Sequence, residues 1–285
     1  MTNINKLFGY MGGKARYLDV LNKHINKTNK KIYIEPFLGS GVVLLNLEKE
    51  FDKYILGEQN SSILNIFIQL SKHSDNQIMS MIEKFESKVD LTKKEDFYKF
   101  RNWWNAKLYQ KNTFAEAIGL IMIITCSLNN ASRFGKNGYN QSFGSTYFTD
   151  MKKKRVLNAA ARLRLLNGKM VFFNDWSKCF HHKSGTAFCY LDPPYYLSKG
   201  AGIGGNKVWD EECTFTLLSN VYHKQYDVLY TDLKNKWGDT YFKHYIKLNI
   251  LRKNSVNPYA HTKSINGYNE VLYSNLKILI KIIRS

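Results

Sequence analysis

Residues 31–41 read KIYIEPFLGSG, and residues 54–71 read YILGEQNSSILNIFIQLS. The run at 31–37 is short, apolar, β-branched and aromatic, which predicts a strand. Gly39, Ser40 and Gly41 break it, and VVLLNLEKEF at 42–51 has apolar spacing that fits a helix. A second strand is predicted at 54–57, ending at Glu58. A second helix is predicted over 61–71, with serine as its cap signal. Strand, loop, helix, strand and helix within roughly forty residues predict a parallel α/β sheet.

Further along, the rhythm changes. Residues 75–128 are helical in pattern and rich in lysine and aromatics, and 129–148 (NNASRFGKNGYNQSFGSTYF) predict turns or a hairpin. A basic amphipathic helix follows at 152–166, then buried strands at 170–174 (MVFFN) and 187–191 (AFCYL). Residues 215–219, 241–250 and 270–273 are further strand candidates. The simplest organisation is a discontinuous α/β domain, 1–72 and 169–285, interrupted by a mainly helical segment, 73–168.

The 285 residues carry 42 Lys+Arg against 23 Asp+Glu, a net charge of +19. With 44% hydrophobic and 14% aromatic residues, wholesale disorder is excluded. The apolar run at 117–128 is too short to span a membrane and suits a buried helix. The N-terminal MTNINKLFGYMGGK lacks the apolar core of a signal peptide, so a cytoplasmic protein is expected. Cys126, Cys179, Cys189 and Cys213 show no metal-binding spacing and read as free thiols in a reducing compartment; no metal is expected. The charge excess points to a polyanion, nucleic acid first, over a lysine surface that merely aids solubility.

Chemistry concentrates in two places. A glycine-rich turn after the first strand lets backbone approach a ligand closely. It lacks both the Lys-Ser/Thr ending of a phosphate loop and the G-x-G-x-x-G of a dinucleotide fold. It therefore fits either a nucleoside-like ligand without a phosphate tail or a plain tight turn. Glu58, at the end of the second strand, is placed to accept hydrogen bonds from a ribose diol.

The second place is Asp192-Pro193-Pro194-Tyr195, directly after the strand at 187–191. At about 5% per position, this tetrapeptide arises by chance in roughly 0.2% of chains this long. Two prolines fix φ and remove donors, so the loop presents carbonyls rigidly. Such groups suit an exocyclic aromatic amine, whose lone pair is delocalised and weak. The Asp192 carboxylate and Pro193 carbonyl can bind its two N–H bonds, favouring a pyramidal nitrogen. Tyr195 can stack on the base, which must leave the duplex to be reached.

With these motifs in order, the chain resembles the Dam-type (D12 class, α group) DNA N6-adenine methyltransferases, which use S-adenosylmethionine. Residues 10–14 (YMGGK) resemble the family's aromatic-x-Gly-Gly-Lys, and 35–41 (EPFLGSG) its cofactor loop. Residues 57–60 (GEQN) stand where the family has an acid followed two residues later by Asn. Asn174-Asp175-Trp176 resembles the step that holds the cofactor's adenine, and 192–195 the catalytic D-P-P-Y. The resemblance implies a Rossmann-like methyltransferase fold: a mixed seven-stranded sheet with helices on both faces, and an inserted, mainly helical target-recognition domain carrying a β-hairpin.

Implied cofactor-binding residues are Tyr10, Gly13, Lys14, Glu35, Pro36, Phe37, Gly39, Ser40, Gly41, Glu58, Asp175, Trp176 and Asp192. Asp192, Pro193, Pro194 and Tyr195 are the implied catalytic residues. Residues 133–144 (RFGKNGYNQSFG) resemble the family's DNA-contacting hairpin, which makes Arg133, Lys136, Asn137, Tyr139 and Asn140 the implied contacts to double-stranded DNA; the alternative is an ordinary surface turn. GATC is the leading site. Ser142 replaces the hairpin's usual Pro, however, and Ser145 stands where GATC-recognising members tend to carry a basic residue. Glu58 replaces the usual Asp.

Two alternatives stay open, cytosine N4 as acceptor and a DNA-binding module without catalysis. The resemblance also admits a cognate restriction endonuclease as partner. The glycine-rich 198–205 (SKGAGIGG) reads as a lid or a loop. Lys152–155 with Arg162 and Arg164 read as a phosphate track or as a solvated helix face.

Overall fold

The computed structural model describes residues 7–9, 14–194, 209–242, 244–248 and 270–276. Tyr10, Gly13, Tyr195 and the 198–205 stretch lie outside the described residues. Along the chain, α1 (Leu18–Ile25) precedes β1 (Ile32–Glu35) and β2 (Lys53–Gly57). Then come α2 (Ser61–Leu70), α3 (Asp75–Glu86), α4 (Lys94–Lys107) and α5 (Phe114–Cys126). A hairpin of β3 (Phe134–Gly135) and β4 (Gly138–Tyr139) leads to α6 (Asp150–Leu165), β5 (Met170–Phe173) and β6 (Ala187–Leu191). The last described elements are α7 (Glu211–His223), β7 (Asp227–Leu233), α8 (Lys236–Tyr241), β8 (His244–Leu248) and β9 (Glu270–Ser274).

Seven strands form one sheet in the order β5-β2-β1-β6-β7-β9-β8. β9 runs antiparallel to both neighbours, and the other pairings are parallel. This is the mixed, Rossmann-like sheet expected. Side chains alternate across it, as the two-residue period of a strand requires. Tyr33, Leu56, Tyr190, Leu229 and Leu272 enter one core, and Ile34, Ile55, Cys189, Val228 and Val271 the other. From β1 the order steps to β2 on one side and to β6 on the other. The carboxyl ends of β1 and β6 therefore flank a topological switch point, where open α/β sheets form ligand crevices.

Helices α3 to α6 share the first core with α1 and α2. Eleven of the thirteen residues of α5 are buried, including every residue from Glu116 to Cys126. That placement explains its unbroken apolar composition.

Three elements differ from expectation. Residues 42–51 form only a single 3-10 turn, Leu44–Asn46. Val42, Val43, Leu44, Leu45 and Leu47 are all buried, so the apolar run fills the core without a helical stripe. The Asn46 side chain also donates to Val42 O at 2.7 Å, competing with helix continuation. Residues 215–219 lie inside α7, which Asp210 caps by accepting from Cys213 N at 2.8 Å. The helix α2 is capped by Asn60, whose side chain accepts from Ser62 N and Ile63 N.

Gly41 has φ 65°, and a Cβ on it would overlap the Phe67 ring. Left-handed backbone costs an L-residue about 1–2 kcal/mol before any clash. Gly41→Ala is expected to lower unfolding free energy by at least that much in urea titration. A change within about 0.5 kcal/mol would contradict this reading of the loop.

Candidate active site

The site is built around an ion pair between a buried lysine and a half-buried aspartate. Lys14 is 1% exposed, and its Nζ lies 2.6 Å from Asp192 Oδ1 and 2.8 Å from Oδ2. A cation stripped of water persists only where an anion answers it. Asp192 follows the last residue of β6, and Thr231 on β7 donates its hydroxyl to Asp192 Oδ1 at 2.9 Å. The carboxylate at the end of β6 is thus oriented from two sides: by the N-terminal segment and by the neighbouring strand. Pro193 is buried and Pro194 half-buried behind it.

Beside this pair lies the loop after β1. Leu38 N donates to Gly57 O at 2.7 Å, folding the loop over the end of β2. Glu58 is buried and accepts from Gly39 N at 3.0 Å and from Asn60 N at 2.9 Å. One carboxylate therefore ties the glycine loop to the start of α2. Gly39, at φ 53°, supplies the backbone conformation this requires.

Glu35 sits deeper, 2% exposed, and accepts from the Tyr33 hydroxyl at 2.8 Å. Burial pushes its carboxyl up to about 8, the charge on Asp192 adds to the rise, and the Tyr33 bond opposes it. At neutral pH Glu35 is mostly protonated. Its part in the site is thus a neutral one, against the backbone.

Asp175 is half-buried and caps the 3-10 helix Trp176–Phe180, accepting from Ser177 N at 2.9 Å. Trp176 belongs to an aromatic cluster with Phe37 and Trp209: the Phe37 and Trp209 rings meet edge-on at 5.2 Å, and the two indoles at 5.6 Å.

The β3–β4 hairpin carries the residues implied to contact DNA. Arg133, Lys136, Asn137 and Asn140 are exposed on it. Tyr139 is 1% exposed, and its hydroxyl donates to Ala131 O at 2.7 Å. Its ring packs inside the hairpin's root against Phe134, so it supports the surface that the other four present.

The basic face of α6 is largely engaged within the fold. Lys153 pairs with Glu86 at 2.9 Å, Arg162 donates to Leu47 O at 3.0 Å, and Arg164 bridges His73 O and Asp75. Those three cations staple α6 to its neighbours, which takes half of the six-residue row out of the phosphate track. Among the described residues, no cluster of ligating side chains fits a metal ion, and no helix is long and apolar enough to cross a membrane.

Residues 10–257 match the family described as D12 class N6 adenine-specific DNA methyltransferase. The chain belongs to this family. Among curated proteins it is similar to the modification methylase StsI of Streptococcus sanguinis, at 24% identity over 95% of this chain and 43% of that protein. It is also similar to the type II methyltransferase M.FokI of Planomicrobium okeanokoites, at 25% identity over 97% of this chain and 42% of that protein. The DNA adenine methylase of Haemophilus influenzae is 27% identical over 65% of this chain and 62% of its own length. The chain thus spans less than half of the first two relatives and under two thirds of the third.

In this D12-class chain, direct contacts join Lys14 to Asp192, Glu58 to Gly39, and Phe37 to Trp176. Two participants escaped the sequence reading, Thr231 and Trp209. Thr231 would have been found only by recognising β7 as a strand, and its Asp and Thr content hid that.

A neutral Glu35 in the fold has a pH consequence. In the unfolded chain it ionises near its ordinary 4.5, whereas in the fold it holds its proton to about 8. The folded state binds the extra proton between those values, so stability falls as pH rises from about 4.5 to about 8 and then levels. Glu35→Gln is expected to flatten that fall in melting temperature between pH 5 and 8. Parallel profiles for the two proteins would contradict the assignment.

Proposed function

We propose that this chain transfers a methyl group from S-adenosylmethionine to the exocyclic N6 of adenine in duplex DNA. The observation that carries the reading is the Asp192 carboxylate, held by Lys14 and Thr231 at the carboxyl end of β6 and followed by two prolines and Tyr195.

The donor set fits a nucleoside with an amino-acid tail. Glu58 would take the ribose hydroxyls, and Asp175 with Trp176 and Phe37 the adenine. Lys14 and Asp192, one cation and one anion side by side, would take the carboxylate and ammonium of the tail. Tyr10, Gly13, Pro36, Ser40 and Gly41 complete the proposed pocket. Bound there, S-adenosylmethionine supplies an electrophilic methyl group.

The chain's own part is to hold the nucleophile. Asp192 and the Pro193 carbonyl accept the two N–H bonds of the target amine, which leaves its lone pair directed outward. Tyr195 stacks on the base after it has flipped from the duplex. No base is needed before attack, since the amine becomes far more acidic once alkylated. In the reading by resemblance, an aspartate in place of serine at the head of the tetrapeptide favours adenine N6 over cytosine N4.

Residues 73–168 are proposed as the target-recognition segment. Arg133, Lys136, Asn137 and Asn140 would meet the DNA, with GATC the first site to test. The relatives' names, modification methylase and type II methyltransferase, support a role in marking DNA, and a cognate endonuclease is the natural partner to seek.

Asp192→Ala is expected to cut methyl transfer by more than about a hundredfold in a radiolabelled-methyl assay while duplex binding persists. Activity within a few-fold of wild type would refute Asp192's role. Lys136→Ala is expected to weaken binding across sequences and to lower the slope of log K against log salt by about one. An unchanged slope would remove Lys136 from the phosphate contacts.

A further inference from the structure

We infer that Asn105, on α4, is a positioning residue for DNA recognition: its side-chain amide holds the β3–β4 hairpin by bonding both backbone groups of Tyr139. Asn105 Oδ1 accepts from Tyr139 N at 2.9 Å, and Asn105 Nδ2 donates to Tyr139 O at 2.9 Å. Tyr139's own donor and acceptor settle which way the amide points. Exchange of both backbone bonds is what a facing residue does in an antiparallel ladder. Here a side chain from a helix takes that place.

The hairpin needs such a hold. Each strand is two residues long, pairing Phe134 with Tyr139 and Gly135 with Gly138, and an isolated hairpin of this kind is at best marginal in water. Its exposed tip is Lys136-Asn137, the stretch proposed to meet DNA.

The sequence around the tip is shaped to admit Asn105. Gly138 has φ 102°, and a Cβ on it would come within 2.5 Å of Asn105 Oδ1. Only glycine lets the amide reach the strand. A second clamp comes from the same helix one turn earlier, where Arg101 Nη1 donates to Gln141 O at 3.0 Å. The helix itself is pinned, since Trp104 Nε1 donates to Glu116 O at 3.0 Å. Orientation therefore passes from the buried core through α4 to the tip, with Asn105 as the last link. The energetic argument is one of pre-organisation: a tip already held in place loses less freedom on meeting the duplex.

This inference rests on the hairpin being the DNA contact, so its test separates the two claims. Hydrogen exchange of the Tyr139 amide and duplex binding by fluorescence anisotropy are measured on the full chain. The proteins are wild type, Asn105→Ala, Asn105→Asp, Lys136→Ala and the Asn105→Ala, Lys136→Ala double variant. S-adenosylhomocysteine affinity and melting temperature serve as controls.

Both Asn105 variants are expected to speed exchange at Tyr139 and to weaken duplex binding about tenfold, with S-adenosylhomocysteine affinity kept. Asn105→Asp retains an acceptor but no donor, so it does not rescue. In the double variant, Lys136→Ala is expected to add less than it does alone, because a tip that is no longer held contacts DNA poorly. Unchanged exchange, wild-type binding by Asn105→Ala, or full additivity would overturn the inference. Faster exchange with binding unaffected by both Asn105→Ala and Lys136→Ala would instead overturn the hairpin as the DNA contact, and the inference with it. Loss of S-adenosylhomocysteine binding equal to the loss of DNA binding would reduce Asn105 to a general structural residue.

Discussion

A lysine that is 1% exposed must have its charge answered inside the protein, and in this chain the answer is Asp192. Everything proposed for the site depends on that pair. It brings residue 14 against residue 192, across the switch point that the sheet opens between β1 and β6. Removing Asp192 would take an ion-pair partner from the buried Lys14, which costs several kcal/mol. In the proposed function the pair also receives a ligand that carries opposite charges side by side. Thr231 fixes the carboxylate from the far side and brings β7 into the site.

Three acids near the carboxyl ends of the strands behave differently because their surroundings differ. Asp192 has a cation beside it. Glu58 accepts from the backbone amides of Gly39 and Asn60. At Glu35 burial outweighs the opposing bonds from the Tyr33 hydroxyl and the Leu44 backbone, and the carboxyl keeps its proton to about 8. The aromatic cluster of Phe37, Trp176 and Trp209 provides an apolar wall beside them.

Much of this was legible in the sequence. The strands β1, β2 and β6 are short apolar runs ending at glycine, acid or proline, and each lies where its composition places it. The motif residues 35–41, 57–60 and 192–194 stand at the carboxyl ends of those strands for the same reason. β7 was hidden because Asp227, Thr231 and Asp232 interrupt its apolar pattern. Two of these polar side chains meet partners far off in sequence, Thr28 for Asp227 and Asp192 for Thr231, while Asp232 is bonded locally by Tyr230 and Asn235. The helix expected at 42–51 gives way to a single 3-10 turn, where the Asn46 side chain bonds Val42 O and the apolar residues face the core. Tyr139 read as a surface residue because nothing local shows that its ring turns inward. The cations of α6 read as a phosphate track because their carboxylate and carbonyl partners lie 67 to 115 residues away.

The central claim is one of product chemistry, and one measurement addresses it directly. Purified protein is incubated with S-adenosylmethionine and unmethylated duplex DNA, the DNA is digested to nucleosides, and modified bases are quantified by mass spectrometry. The account predicts N6-methyladenine and no N4-methylcytosine. N4-methylcytosine as the product, or no methylated base alongside intact duplex binding, would contradict it.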